Sequence, residues 1–470
     1  MGFRIAVAVG IVLIFLGASY GFGQAAPAAA HHRATQLQLF DSHIDHVVFL
    51  MQENHAFDSL FGVYCPNVGK YCWSTADGVP NKCLPLYPSN PSAGCVRPYN
   101  FSAAWLAPPD MEHDWYSTHL AWNSGSMNNF YVAEGTTETF GHYNASTVPF
   151  YWDLAEQYGL ADDFFSPDAS YSLANHWGEV ASSPPAESQQ YYIGYAGNPY
   201  DQIYLNQSNH TSSIESTLLN SSVTWKEYDY GLPPYAGAIG LVPGIPATAF
   251  DYWNPLAARA QSYLPHIKNH FVPHSTFFGD AKNGTLPNIS WISPTPADSD
   301  HPNANLTTGQ DWVASIVDAL EASPEWNSTV LFISWDEYGG FYDQVAPPYL
   351  DSVGDGFRVP LLAIGPWVRQ GYIDHAEMNF NSILALMEDR FNLTCTGPRD
   401  CNAKLPLGMF DFARSSPRAP IGFATNGSWS YPMPLQSSGK LPYFGPMMGF
   451  QPTVPSNDAP ETGLNVVDWS

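Results

Sequence analysis

Two apolar runs end at pairs of residues able to ligate a cation through oxygen. His46-Val47-Val48-Phe49-Leu50-Met51-Gln52 leads into Glu53-Asn54, and Val330-Leu331-Phe332-Ile333-Ser334-Trp335 leads into Asp336-Glu337. Short β-rich apolar runs read as strands buried on both faces, and α/β sheets bind their ligands beyond the carboxyl ends of such strands. Three carboxylates and an amide brought to one sheet edge suit a hard or borderline divalent cation, without selecting one. Other chemistries have little support. The G-x-S-x-G at Gly17-Ala18-Ser19-Tyr20-Gly21 falls in the N-terminal apolar segment, and no P-loop, H-E-x-x-H or dinucleotide fingerprint occurs.

The elements that must position these residues follow from periodicity. Tyr151 to Tyr158 reads as a helix feeding Leu160-Ala161, and Asn288 to Ile292 as a short strand. Gln310 to Ala322 is amphipathic, with Trp312, Ile316, Val317 and Leu320 turned inward. Val359 to Ile364 is a buried strand closed by Gly365-Pro366. Asn379 to Phe391 is a helix capped by Asn381 or Ser382. Alternating strands and helices predict a three-layer α/β sandwich around a mostly parallel sheet. Residues 31–42 read as a polar approach segment and Gln202 to Ser222 as a decorated surface excursion.

Bulk properties place the domain. The chain has 470 residues, and residues 1–30 carry Arg4, an apolar run from Ile5 to Leu16 and small residues for cleavage. That is a secretory leader pattern, with an uncleaved anchor as the competing reading. Residues 31–412 form the expected catalytic domain, and 413–470 a Pro/Gly/Ser-rich extension lying on it or partly disordered. Six cysteines in loops fit disulfides in an exported protein. Cys395–Cys401 is the favoured pair, and Cys65, Cys72, Cys83 and Cys95 allow three pairings; a zinc site is disfavoured by the spacing of Cys65 and Cys72. Eleven Asn-x-Ser/Thr triplets make a glycosylated surface an expectation. A net charge of −26 with only 17 Lys+Arg disfavours nucleic acid and anionic membrane surfaces as partners, and no later segment reads as a membrane span. A charged fraction of 13% is compatible with an acidic working environment.

The ordered motifs resemble a known family. Gln52-Glu53-Asn54-His55-Ala56-Phe57-Asp58-Ser59-Leu60-Phe61-Gly62 is similar to the E-N-x-x-F-D-x-x-F-G signature of the secreted phosphoesterases, which include phosphatidylcholine-type phospholipases C and metal-dependent acid phosphatases. Asp336 to Asp343, running on to Pro347-Pro348, resembles that family's D-E-x-G-G-F-Y-D block. Asp300-His301-Pro302, Trp225 to Tyr228 and Met409 to Phe412 resemble further motifs in the same order. The resemblance implies an alkaline-phosphatase-like sandwich, with Glu53, Asn54, Asp336 and Glu337 binding a divalent metal ion. It also implies a serine nucleophile within Asp163 to His176. Counting back from Asn175 points to Ser172, with Ser170 as the alternative because Tyr171 stands where the family has Pro. His113 and His301 match histidines that contact phosphate or protonate the leaving group.

Two positions depart from the pattern. Gln344 stands where the family has histidine after Asp343, and Trp253 precedes Asn254-Pro255 where relatives have His-Asn-Pro. Both are expected near the pocket, where they would alter substrate range or proton delivery. The leading expectation is an exported acid phosphatase acting on small phosphate esters. A phospholipase C acting on phospholipid headgroups, or an exported glycoprotein that binds without hydrolysing, are the alternatives.

Overall fold

Parallel strands buried on both faces need helices above and below, and that is the architecture found. The structure is a computed structural model that describes residues 25–64, 78–184, 211–229, 253–255, 270–348 and 354–422. Its main sheet contains β1 (His46–Gln52), β2 (Gly159–Ala161), β3 (Trp225–Asp229), β4 (Phe271–Pro273), β5 (Ile289–Ile292), β6 (Thr329–Trp335), β7 (Leu361–Ile364) and β8 (Tyr372–Asp374). Their spatial order is β8-β2-β7-β6-β1-β5-β3-β4. β7 runs antiparallel to both β6 and β2; every other pairing is parallel.

β1 and β6 lie side by side at the centre, and each buries all seven residues. Each large apolar side chain so buried contributes about 1.5–3 kcal/mol, so the register of this pair is strongly specified. Phe49 of β1 packs edge-on against Phe380 of the helix Phe380–Phe391, and Trp335 of β6 meets Tyr151 of the helix Pro149–Gln157. These contacts leave opposite faces of the strands, because side chains alternate. The helices Ala25–His43 and Phe380–Phe391 form one outer layer; Pro149–Gln157, Ser275–Asn283 and Leu306–Glu321 form the other.

Several expected boundaries move. Residues 31–42 belong to the helix Ala25–His43 rather than to a polar approach, with Phe40 fully buried against Phe410 and Phe412. The helix expected from Gln310 begins at Leu306, where the Asn305 side chain accepts from Thr307 N at 2.9 Å. The cap of Phe380–Phe391 is Asn379, not Asn381 or Ser382. Asn379 Oδ1 accepts from Asn381 N at 3.0 Å, and Ser382 Oγ accepts from Asn379 N at 3.2 Å, a reciprocal capping box. Within the expected surface excursion, residues 202–210 lie outside the described residues, but the helix Ile214–Leu218 buries Ile214 and Leu218 in the core.

Disulfides join Cys395 to Cys401 and Cys83 to Cys95; Cys65 and Cys72 lie outside the described residues, as do residues 1–24 and 423–470. Residues 413–422 lie on the domain, where Arg418 Nη1 donates to Gln157 O at 2.6 Å and Gly422 N to Glu321 Oε2 at 2.7 Å. Among the described residues no helix is long and apolar enough to cross a membrane.

Candidate active site

The register that pairs Gln52 with Trp335 delivers Glu53-Asn54 and Asp336-Glu337 side by side at the carboxyl end of the sheet. Asn54 N donates to Asp336 Oδ1 at 2.6 Å, and Asp336 N donates to Gln52 O at 3.0 Å. Asn54 leaves β1 through the left-handed region at φ 59°, which asparagine tolerates better than most residues. Gly339 closes the turn after Glu337 at φ 61°, its N–H donating to Glu337 Oε2 at 2.8 Å. A Cβ at Gly339 would stand 2.1 Å from Asn54 O, so only glycine lets the two strand ends approach.

Glu53, Asn54 and Asp336 are fully buried and Glu337 is nearly so. Glu53 Oε2, Asp336 Oδ2 and Glu337 Oε1 are buried without a hydrogen-bond partner. Burial, reinforced by the Asp336 charge, pushes the Glu53 and Glu337 carboxyls well above their ordinary range. Unpaired carboxylate oxygens converging in a dry site are costly on their own and fit a cation well. The donor set is chemically suited to a divalent metal.

Asn54 also reaches the expected nucleophile. Ser172 opens the helix Ser172–His176, and its Oγ donates to Asn54 Oδ1 at 3.5 Å. Ser170 lies in the loop that precedes this helix, where its backbone carbonyl accepts from Asn175 Nδ2 at 2.8 Å. The same helix brings in a side chain to which the sequence assigned no role. His176 places Nε2 2.8 Å from Glu53 Oε1 and 4.0 Å from Asp336 Oδ2, while Nδ1 lies 2.6 Å from Glu179 Oε1. Its spacing four residues after Ser172 is the signal that could have found it, since that spacing puts both on one helix face.

His113 stands on the other side of Asn54. Its Nδ1–H donates to Met111 O at 2.7 Å, and Nε2 accepts from Asn54 Nδ2 at 3.0 Å in the neutral ring. Burial opposes charge on His113, yet Glu337 (4.0 Å) and Asp110 (3.7 Å) outweigh it and hold the ring up to about 9. A charged ring pairs with the Asn54 amide through its oxygen instead. The His301 ring centroid lies 6.1 Å from that of His113, and burial pushes His301 down. Asp300, at φ 66°, turns the chain to present His301; its Oδ2 accepts from Tyr151 Oη at 2.6 Å and Trp335 Nε1 at 3.2 Å. Asp110, His113 and His301 bring their donor atoms within 4.8 Å of one another, and Asp110 is another site residue that sequence reasoning passed over.

The two departures behave differently. Trp253 stacks beside His301 with ring centroids 6.1 Å apart, so it does border the site. Gln344 does not point there: its amide donates to the Gly78 carbonyl, and its N–H to Asp58 Oδ2 at 3.0 Å. The motif aspartates Asp58 and Asp343 have a structural task. Both pair with the fully buried Arg358, at 3.2 and 2.9 Å, which locks the loops after β1 and β6 together.

A profile of the Phosphoesterase family matches residues 44–394, a span that contains every residue of this site. The chain belongs to the phosphoesterase family. The non-hemolytic phospholipase C of Burkholderia pseudomallei is 28% identical over 418 residues, covering 74% of this chain but 55% of that protein. The chain therefore spans little more than half of that relative's length. Phospholipase C B of Mycobacterium tuberculosis is 28% identical over 427 residues, covering 79% of this chain and 78% of the relative. Likeness to solved structures is weaker. A protein of the alkaline phosphatase superfamily from Vibrio parahaemolyticus aligns with a TM-score of 0.32 and 10% identity, covering 79% of each chain.

Proposed function

We propose that this phosphoesterase hydrolyses phosphate esters at the junction of β1 and β6, with Ser172 as nucleophile and a divalent metal ion held by Glu53, Asn54, Asp336 and Glu337. The observation that carries the proposal is the position of Asn54. Its amide spans Ser172 Oγ and His113 Nε2 beside three unpartnered carboxylate oxygens. When bound, the metal supplies Lewis-acid charge to the phosphoryl oxygens and lowers the pKa of a coordinated hydroxyl.

The protein's own groups then divide the work. Ser172 Oγ attacks phosphorus and the ester oxygen leaves, which transfers the phosphoryl group to serine. His113, with Nδ1–H kept on Met111 O, turns its Nε2–H from the Asn54 amide to a phosphoryl oxygen when substrate binds. His301, kept neutral by burial, accepts the Ser172 hydroxyl proton and passes it to the leaving oxygen, which departs as an alcohol. Water attacking the phosphoserine then gives its proton to His301, which returns it to Ser172 Oγ as the phosphate is released.

The names of the relatives favour a phospholipid headgroup diester as the substrate. Two disulfides support export. Phosphomonoesters, the leading expectation from sequence, form the second reading, favoured by how little of Ser172 is exposed (8%). Hydrolysis of phosphatidylcholine, bis-p-nitrophenyl phosphate and p-nitrophenyl phosphate across pH 3–8, with and without chelator, tests both. Faster turnover of the monoester than of either diester would reverse their order. Failure to cleave any of the three with metal present would leave a binding protein on this fold.

A further inference from the structure

His176 occupies an arrangement that the hydrogen bonds of a neutral ring do not satisfy. The ring is 3% exposed and carboxylates face both nitrogens: Glu179 Oε1 at 2.6 Å from Nδ1, and Glu53 Oε1 at 2.8 Å from Nε2. A neutral imidazole has one N–H and one lone pair. The shorter contact assigns the N–H to Nδ1, so the Nε2 lone pair points at Glu53 and, 4.0 Å away, Asp336 Oδ2. A lone pair facing carboxylate oxygens calls for positive charge, either a second proton on the ring or a cation beside it. A proton on Nε2 satisfies Glu53 Oε1 alone, whereas a cation also serves the remaining carboxylate oxygens. Glu53, His176 and Asp336 bring their donor atoms within 4.8 Å of one another, and Glu53 Oε2 and Asp336 Oδ2 have no other partner.

We propose that His176 Nε2 is a nitrogen ligand of the cation held by Glu53 and Asp336, with Glu179 as the carboxylate that fixes the ring. The carboxylate–histidine pair is how proteins orient a ligating imidazole and raise its basicity. The assignment rests on the metal centre proposed above and deepens it, because it changes which metal the site takes. The ligand set expected from sequence is all oxygen and leaves the choice open. A mixed nitrogen and oxygen set favours a borderline transition ion such as Zn²⁺ or Co²⁺ over Mg²⁺ or Ca²⁺.

The test uses the full chain stripped of metal, with Zn²⁺ and Mg²⁺ affinities measured by competition and calorimetry on wild type, His176→Gln, Glu179→Gln and Asp336→Ala. Expected is a loss of about 10–100-fold or more in Zn²⁺ affinity for His176→Gln, a smaller loss for Glu179→Gln, and little change in Mg²⁺ affinity for either. Pulsed EPR on the Cu²⁺-loaded protein supplies a second readout that does not depend on the His176 variant folding. Imidazole nitrogen modulation should be present in wild type and in His113→Gln, and absent from His176→Gln. Wild type without nitrogen modulation, or His176→Gln with undiminished Zn²⁺ affinity, overturns the ligand assignment while a defect in Asp336→Ala keeps the centre. Wild-type metal affinity in Asp336→Ala overturns the centre itself.

Discussion

Removing Arg358 should leave two carboxylates stranded in the core, and the size of that penalty can be worked from the structure. Arg358, Asp58 and Asp343 are all fully buried. The guanidinium pairs with both carboxylates at 3.2 and 2.9 Å, donates to Asp162 O at 2.8 Å, and lies 4.7 Å above the Phe57 ring. Arg358→Met preserves much of the apolar volume but removes the charge. Breaking a buried pair from one side typically costs about 3–5 kcal/mol, because the remaining charge has no compensation. Urea unfolding followed by tryptophan fluorescence at pH 7 should therefore show a markedly lower midpoint with an unchanged slope. Burial already raises the Asp343 carboxyl against the pull of Arg358, so losing the arginine raises it further. Protonation then relieves the variant as pH falls, and the penalty should shrink between pH 7 and pH 4. Adding Asp58→Asn and Asp343→Asn should restore part of the loss. A variant within about 1 kcal/mol of wild type at pH 7, or a penalty independent of pH, refutes the reasoning.

Three other outcomes follow from the same contacts. Gly339→Ala adds a left-handed strain of about 1–2 kcal/mol and drives a Cβ toward Asn54 O, so it should lower both thermal stability and metal occupancy; elemental analysis of the purified variant checks the second. Burial raises Glu134 and Glu388 to about 9 and Asp300 to about 7. Their unfolded values lie near 4, so the folded chain holds protons that the unfolded chain releases. That stability is fully present below pH 4 and is lost as pH rises through 7 to 9, on the order of 1.4 kcal/mol per pH unit for each group in its window. Metal-free protein should accordingly melt at a higher temperature at pH 5 than at pH 8, and the reverse order in calorimetry would contradict this. Asn54→Ala removes the bridge between Ser172 and His113, so kcat should fall with the fold unchanged by circular dichroism.

Much of the fold was legible because β1 and β6 are buried on both faces, which forces continuous apolar runs that stand out in the chain. The metal-capable pairs were legible for the same reason, since each immediately follows such a run. What the runs do not encode is direction: the antiparallel course of β7 depends on how the loop after β6 returns, not on the composition of Leu361–Ile364. The helix Ala25–His43 was missed because its sequence carries no clear apolar stripe, and Phe40 alone is fully buried near its end. The cap at Asn379 was missed because Phe380, a large apolar residue in the first turn, obscures where the helix begins. His176 ends the Asp163 to His176 stretch with no role legible in the sequence, because its partner Glu53 is 123 residues away. Gln344 differs for the complementary reason: it follows directly on the motif that begins at Asp336-Glu337, but its side chain turns to Gly78.

The site's central claim is that oxygen ligands from β1 and β6 surround one cation within reach of Ser172. Acid quenching of the metal-loaded protein during turnover of p-nitrophenyl phosphate, followed by peptide mass spectrometry, tests it most directly. Phosphate should be found on Ser172, and none should be trapped in Ser172→Ala or after chelation. Phosphate on Ser170, or undiminished turnover by Ser172→Ala, would contradict the account.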